Sequence, residues 1–506
     1  MKIILRILII ITSGVLPLQS VSQEKSLQSL LSDTSMINAS VSLYITNTDN
    51  GEPVLEYNSG KSLIPASVMK LITSSCALEL LGPSYTFKTC IGYTGTLNKR
   101  TGRLSGDIII KGGGDPVLGS RNFSDHYGDF LTKWVEAIKN AGIKKIDGRI
   151  ITDDSYYDYQ PVPAKWLWED AGNYYGAGVY GASVFDNTYE IHFKTSSDSS
   201  SILIMNTIPK ECRYEFSNWL VAAGTEDKGY VFAAPYSTNG WLAGSIPVNK
   251  DDFILKAAIT DPPFLLAELL DQKLDSSEIV IAGNPTTTRL ELSTINENIS
   301  PITETISPPL KDIIEVLNHE SVNLYAEHLI KELGKAIKNR GSTTAGIEVI
   351  NQFLTDAGIN TDGMFIEDGS GLSPLNAINT RELTKLLFYL KKSGRYFNEF
   401  YSSMPDAGNE GTLKNYFKDP VFNLKMKAKS GSMTRVRSFA GYFKTLSGKE
   451  MVFSIIVNNY TGSPQNIISA IEEIIKETIL DKPPTLPISR PDIPSRYPVP
   501  IAIGSY

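Results

Sequence analysis

Two β-hairpin signatures stand at opposite ends of the sequence, and together they limit its fold more than any other feature. Near the start, ASVSLYITNT (39–48) alternates like a strand, DNG (49–51) signals a turn, and PVLEYN (53–58) reads as the return strand. Near the other end, NLKMKAKSG, RSFAGYFKT and EMVFSIIVNNY read as strands, the last two joined by LSGK with Gly448 in the turn. A lone hairpin is marginal in water. The simplest assembly therefore pairs both ends in one antiparallel sheet. Helices cover it. PASVMKLITSSCALELLG has Pro65 in its first turn and Gly82 at its C-terminal cap, and helical periodicity returns in PPLKDIIEVLNHESVNLYAEHLIKELGKAI, STTAGIEVINQFLTDAG, NTRELTKLLFYLKKSG and PQNIISAIEEIIKETIL.

Between these ends, residues 83–305 change character. They are rich in glycine, aromatic residues and short strand-like runs such as TYEIHFKT, SILIMNTI and DDFILKAAIT. The expected architecture is α+β: an antiparallel sheet flanked by helices, carrying a large β-rich insertion. In residue terms, 23–87 and 306–481 form one discontinuous domain, and 88–305 is the insertion, divided into two subdomains. Residues 482–506 hold seven prolines without apolar periodicity and read as an extended tail.

The first residues read as an address. An apolar run, IILRILIIITSGVLPL, follows Met1-Lys2, and small residues Ser20 and Ser22 precede a cut near Gln23. That pattern predicts a signal peptide over residues 1–22, export, and a mature protein with no membrane span, since no later run reaches ~18–20 apolar residues. Losing Lys2 and Arg6 takes the net charge from −7 to −9. An acidic chain with no basic run argues against a nucleic-acid partner. His126, His192, His319 and His328 are scattered, and nothing calls for a metal or other cofactor. Cys76, Cys90 and Cys212 are too few for a disulfide scaffold, leaving one bridge and a thiol, or three thiols, as the alternatives.

The chemistry is concentrated in three short stretches. Ser67 and Lys70 lie one helical turn apart, on one face of a helix start. A serine hydroxyl needs a base, and a lysine held neutral by burial and nearby positive charge can serve. HESVNLYAEHL supplies Ser321 and Asn323, and MKAKSGSM supplies Lys429, Ser430 and Gly431 at a strand end. Lysine, hydroxyl and glycine on an edge strand suit docking of an extended peptide and its terminal carboxylate, with Gly431 leaving room for a backbone. Taken singly these motifs are weak. S-x-x-K also occurs at Ser22–Lys25, S-x-N at Ser120–Asn122 and Ser237–Asn239, and K-S-G at Lys392–Gly394. In that order, on those elements, they are specific.

S-x-x-K, S-x-N and K-[ST]-G in this order resemble the penicillin-recognising serine acyltransferases. More closely, residues 35–480 resemble the class C low-molecular-mass penicillin-binding proteins, a D-alanyl-D-alanine carboxypeptidase/endopeptidase family of the type-4 kind. GGGDPVL (112–118) is similar to the family's G-D-G-D-P-x-L. DDSYYD (153–158) and WLWEDAGNYYGA (166–177) are similar to parts of its inserted domain, and DGSGLSPLN (368–376), AGNEGTLKNYF (407–417) and AKSGSMTRVRSFAGYF (428–443) match its later regions. The gap of 254 residues between Ser67 and Ser321 also fits that family, whereas class A β-lactamases have a far shorter one.

The resemblance implies a penicillin-recognising fold and a periplasmic enzyme acting on peptidoglycan peptides, with β-lactams as covalent inhibitors. It implies Ser67 as nucleophile, Lys70 as its base, Ser321 and Asn323 as proton relay and clamp, and Lys429 and Ser430 as the carboxylate site. Backbone N–H groups of Ser67 and Ser432 would form the oxyanion hole. Asp170 and Tyr175 fall where the family binds a diaminopimelate side chain. Two family positions differ: Pro374 replaces an arginine and Thr434 a glutamine, with Arg435 or Arg437 as candidates to compensate. Competing readings are a β-lactamase or esterase using the same site, and a degenerate cell-wall binding protein. The absence of a G-x-S-x-G elbow with a suitable histidine argues against Ser-His-Asp chemistry.

Overall fold

The computed structural model describes residues 22–480 apart from 198–201, 213, 293–294, 296–297 and 424. The leader expected over 1–22 and the tail at 482–506 lie outside the described residues, except that Ser22 begins a helix, Ser22–Ser32. No helix among the described residues is long and apolar enough to cross a membrane.

The two ends of the chain do meet. One five-stranded sheet orders Met426–Met433, Val436–Lys444, Glu450–Asn458, Ser40–Asn47 and Pro53–Tyr57, antiparallel throughout. Leu43 sits opposite Ile455 and Ile45 opposite Phe453, so alternation sends both pairs to one face. There they pack with Leu27 and Leu30 of the helix Ser22–Ser32 and with Ile467 and Ile471 of Pro464–Ile479. The other face presents Ala440, Tyr442, Val452 and Ile456 to the main core. In that core lies the helix Met69–Leu81, buried continuously from Met69 to Glu79. Apart from Lys70 and Glu79 its side chains are apolar or small on every side, as a central helix requires.

The helical run that the sequence predicts around 310–338 is broken at one point. Ser321 adopts a left-handed backbone (φ 58°, ψ 38°), ending the helix Leu310–Glu320, and Asn323–Lys338 begins two residues later. The second of these helices is buried from Leu324 to Gly334, because the insertion covers the side that the helical layer leaves open.

The insertion is built from small sheets, two of them three-stranded: Ile202–Ile208/Thr188–Thr195/Phe253–Ala258 and Glu215–Ala222/Asn239–Ile246/Lys228–Ala233. It also holds two helices that the mostly-β reading overlooks, Phe130–Asn140 and Pro262–Asp275. Their signals were present. Asp129 and Asp261 cap them by accepting the N–H groups of Thr132 and Phe264, and Pro262 begins the second. Polar contacts fasten the insertion to Asn323–Lys338. Lys331 Nζ meets Asp158 at 2.6 Å, the Tyr157 hydroxyl donates to Glu332 at 2.7 Å, and that of Tyr325 donates to Asp186 at 2.7 Å. His328, buried between Ser183 Oγ and the Gly114 carbonyl at 3.0 Å each, has its pKa pushed by burial down to about 3. It is a neutral structural imidazole. All three cysteines are free thiols.

Candidate active site

Ser67 is presented by a strained turn. A 3₁₀ turn, Ala66–Val68, precedes the buried helix, and Ala66 has φ 48°, a left-handed value that a side-chain-bearing residue adopts only when its surroundings enforce it. Two glycines do the enforcing. A Cβ on Gly371 would lie 2.0 Å from the Ala66 carbonyl oxygen. A Cβ on Gly431 would lie 2.2 Å from Ser438 Oγ, 2.8 Å from the Pro65 oxygen and 3.0 Å from Ser67 N. The space that Gly431 leaves is thus filled by the protein's own Ser67 turn, pinned further by Ser438 Oγ donating to the Pro65 carbonyl at 2.5 Å.

Lys70 is fully buried. Its Nζ lies 3.0 Å from Ser67 Oγ, 2.6 Å from Asn323 Oδ1 and 2.8 Å from the Ser370 carbonyl oxygen. Burial lowers its pKa to about 7 against the opposing pull of Asp368 and Glu327. A neutral amine has two hydrogens and one lone pair. Asn323 and Ser370 take the two hydrogens, which leaves the lone pair facing the Ser67 hydroxyl. Lys429, also fully buried, is pushed well below the usual lysine range by burial and then by the charge of Lys70, and its Nζ donates to the Ser430 carbonyl at 2.9 Å.

The edge strand Met426–Met433 has one side free near the site. Ala428 N–H bonds outward to the Pro405 carbonyl, away from the neighbouring strand. Alternation then turns the N–H groups of Ser430 and Ser432 to the same free side. Gly431 lies against Ser67 N, so the Ser67 turn meets the strand one residue before Ser432. Ser321 is at the adjoining helix break, and its hydroxyl has no hydrogen-bond partner among the described residues.

Two carboxylates at this site escaped the sequence reading. Glu327, four residues after Asn323 on one helix face, accepts the Gly369 and Ser370 amides at 3.0 and 2.7 Å. Asp368 accepts the amides of Gly371 and Ser373 at 2.7 and 2.6 Å and the Trp166 indole N–H at 2.8 Å. Both are buried, and together they shape the 368–373 loop whose Ser370 carbonyl holds Lys70. Burial, and then Asp368, raise the Glu327 pKa. The signal was the Asn323/Glu327 spacing of one helical turn.

The loop 166–176 of the insertion reaches the same place. Asn323 Nδ2 donates to the Tyr175 carbonyl at 2.8 Å, and Ser373 Oγ donates to the Lys165 carbonyl at 2.9 Å. Asp170 is buried with its carboxyl hydrogen-bonded to the Tyr175 phenol; burial raises both pKa values. Thr434 is elsewhere, at the tip of the hairpin, where it lines a cavity of about 400 Å³ with Arg435, Arg437 and Tyr460. Arg437 pairs with Ser432 across the strands, and Phe439, two residues on, is buried in the core on the sheet face opposite Lys429. Its guanidinium donates to the Met433 and Val436 carbonyls at 3.1 and 2.7 Å. Arg437 therefore shares a sheet face with Ser430 and Ser432, opposite that of Lys429, and its guanidinium is held by the hairpin's own carbonyls. Among the described residues, no group of three or more His, Cys, Asp or Glu is placed to hold a metal ion.

An antiparallel sheet closed by both chain ends, with Ser-x-x-Lys on its covering helix and a buried lysine on its edge strand, defines the penicillin-recognising serine enzymes. Residues 23–478 match the D-Ala-D-Ala carboxypeptidase 3 (S13) family, and the chain belongs to that family. It is 25% identical over 451 residues to a D-alanyl-D-alanine carboxypeptidase of Actinomadura sp. (strain R39), covering 87% of this chain and 81% of that protein. It is 22% identical over 429 residues to the D-alanyl-D-alanine carboxypeptidase DacB of Haemophilus influenzae, covering 84% and 86%. The crystal structure of penicillin binding protein 4 from H. influenzae superposes with a TM-score of 0.77 at 20% identity, over 91% of this chain and 99% of that one. A second structure of that protein carries a β-lactam.

Proposed function

We propose that this protein is an exported serine D-alanyl-D-alanine carboxypeptidase, with D,D-endopeptidase capacity, that cleaves peptidoglycan stem peptides through an acyl-enzyme on Ser67. The observation that carries the reading is the fully buried Lys70 amine 3.0 Å from Ser67 Oγ, with Asn323 Oδ1 and the Ser370 carbonyl as its other two partners. Neutral Lys70 takes the Ser67 proton as Oγ attacks the carbonyl of the penultimate D-alanine. The Ser67 and Ser432 amides receive the developing oxyanion. The proton passes to the departing D-alanine amine, with Ser321 beside its path, and Lys429 and Ser430 hold the terminal carboxylate. Water then attacks the acyl-enzyme and releases the shortened peptide. β-Lactams acylate the same serine. Asp170 and Tyr175 receive the substrate's side-chain amine and its apolar stem. The discontinuous division at 23–87, 88–305 and 306–481 belongs to this proposal, the insertion lending the 166–176 loop to the site.

The test is covalent labelling of the purified mature protein by a fluorescent penicillin beside Ser67→Ala, with D-alanine release from a D-alanyl-D-alanine peptide measured in parallel. Labelling and release that vanish in the variant support the assignment. Well-folded wild type that neither labels nor releases D-alanine sinks it. Unchanged turnover of diaminopimelate-containing peptides by Asp170→Ala would remove Asp170 from the site.

A further inference from the structure

The three-stranded sheet Glu215–Ala222/Asn239–Ile246/Lys228–Ala233 breaks the usual rule for a half-buried sheet. One face is buried, with Leu220, Ala222, Val231, Ala233, Leu242 and Ile246 turned inward. The outward face should then be polar. Instead it carries Trp219, 65% exposed, with Tyr230, Phe232 and Trp241. Phe232 and Trp241 are cross-strand partners stacked at 5.1 Å and 8°, and Trp219 lies 6.4 Å from Trp241. Trp168, 52% exposed and from a different segment, extends the surface at 6.0 Å from Trp241. Indole rings held open to water in a connected row are costly to keep exposed unless something covers them.

This row runs toward the catalytic centre. The loop that ends at Tyr175 is seated on the same sheet. Asn173 Oδ1 accepts the Val231 amide at 3.1 Å, and a Cβ on Gly172 would lie 2.1 Å from the Val231 oxygen. The Tyr230 phenol is near enough to Tyr175 to push its ionisation upward. A path therefore leads from Lys70 through Asn323 and the loop of Tyr175 to Tyr230, and on through Phe232 and Trp241 to Trp219. The ion pair Lys228–Glu226 at 2.7 Å is charge-neutral and lies at the strand start, and the aromatic row itself bears no charge.

We propose that this face is a docking platform for the glycan strand of the substrate, a β-linked amino-sugar oligosaccharide, an inference that rests on the peptidoglycan reading above. A pyranose ring offers a flat C–H face that lies against the electron-rich face of an indole, while its hydroxyl and acetamido groups stay in water. A neutral sugar suits an uncharged aromatic row. A stem peptide held at Ser67 is covalently tied to such a strand, so the strand must leave the site along some surface, and the row begins where the loop of Tyr175 ends. The platform holds polymer. It does not touch the reacting atoms.

The test compares wild type, Trp219→Ala and Trp219→Tyr, using calorimetric titration with a β-1,4-linked N-acetylglucosamine hexamer. Turnover is measured on intact peptidoglycan sacculi and on a soluble D-alanyl-D-alanine peptide. Wild type should bind the hexamer and Trp219→Ala should bind about tenfold more weakly, with Trp219→Tyr recovering most of the loss. Turnover of sacculi should fall in parallel, while the soluble peptide is cleaved at the wild-type rate. No binding by wild type, or equal binding by wild type and Trp219→Ala, overturns the platform. So does a wild-type dimer that Trp219→Ala dissociates without any oligosaccharide binding, because the face would then be a contact between copies. The titration does not depend on catalysis, so an inert enzyme that binds the hexamer refutes only the proposed activity.

Discussion

Replacing Gly431 by alanine isolates the fit between the edge strand and the turn that presents Ser67. The new Cβ would stand 2.2 Å from Ser438 Oγ, 2.8 Å from the Pro65 oxygen and 3.0 Å from Ser67 N. Ordinary van der Waals contact is about 3.5–4.0 Å. The serine hydroxyl can rotate away, at the cost of its bond to Pro65. The two backbone atoms cannot, so the turn and the strand must part by about half an ångström to one ångström. Overpacking of that size costs about 1–3 kcal/mol of stability. A displacement of about 1 Å at a reacting group lowers a rate about 100-fold. Stopped-flow acylation by a fluorescent penicillin should show that loss in G431A, with a folded protein by circular dichroism and a lowered Tm. Acylation within twofold of wild type would refute the close-fit account. Full recovery in a G431A/S438G double variant would also refute it, because only the side-chain clash is relieved there.

Other perturbations probe separate parts of the site. Because Lys70 acts as a base only when neutral and its pKa is held at about 7, the acylation rate should rise with pH through about 7 and level off above; a flat profile from pH 5 to 9 would exclude it as the base. Glu327→Ala removes the acceptor of the buried Gly369 and Ser370 N–H groups, which should cost about 1–3 kcal/mol in denaturant unfolding and slow acylation by loosening the Ser370 carbonyl. Trp166→Phe removes the indole donor from buried Asp368 but leaves the Ser373 amide in place, and should lower stability by about 1 kcal/mol in the same assay.

Local pattern carried much of this molecule. Alternation and turn chemistry at 39–58 and 436–458 marked the hairpins, and their shared lack of a partner implied the common sheet. The Ser67/Lys70 spacing was readable because a helical turn is a fixed distance. What stayed hidden depended on burial or register. Glu327 and Asp368 look like any acidic residues until the fold removes water from them and hands them backbone amides. Arg437 was a candidate to compensate for Pro374 and Thr434, but which face it shares, that of Ser430 and Ser432, depends on where the hairpin turns, a register that no residue pattern announces. The helices Phe130–Asn140 and Pro262–Asp275 carried capping signals, but their glycine- and strand-rich surroundings dominated the reading of the region.

The closing of one sheet by both chain ends also sets a clock. Ser67 and its helix are synthesised early, yet Lys429, Gly431 and Ser438 belong to strands that enter the sheet only after about four-fifths of the chain exists. Contacts of such long sequence separation form late in folding. A chain that stops short of residue 431 has a serine beside a lysine but lacks the Gly431 and Ser438 contacts that hold the Ala66 turn from the strand side. Premature termination anywhere before residue 458 leaves the sheet incomplete, so an enzyme of this topology has no active fragment to leak from an interrupted or misfolded copy. Catalytic competence is the last thing the chain acquires, and it serves as a certificate that every earlier step succeeded.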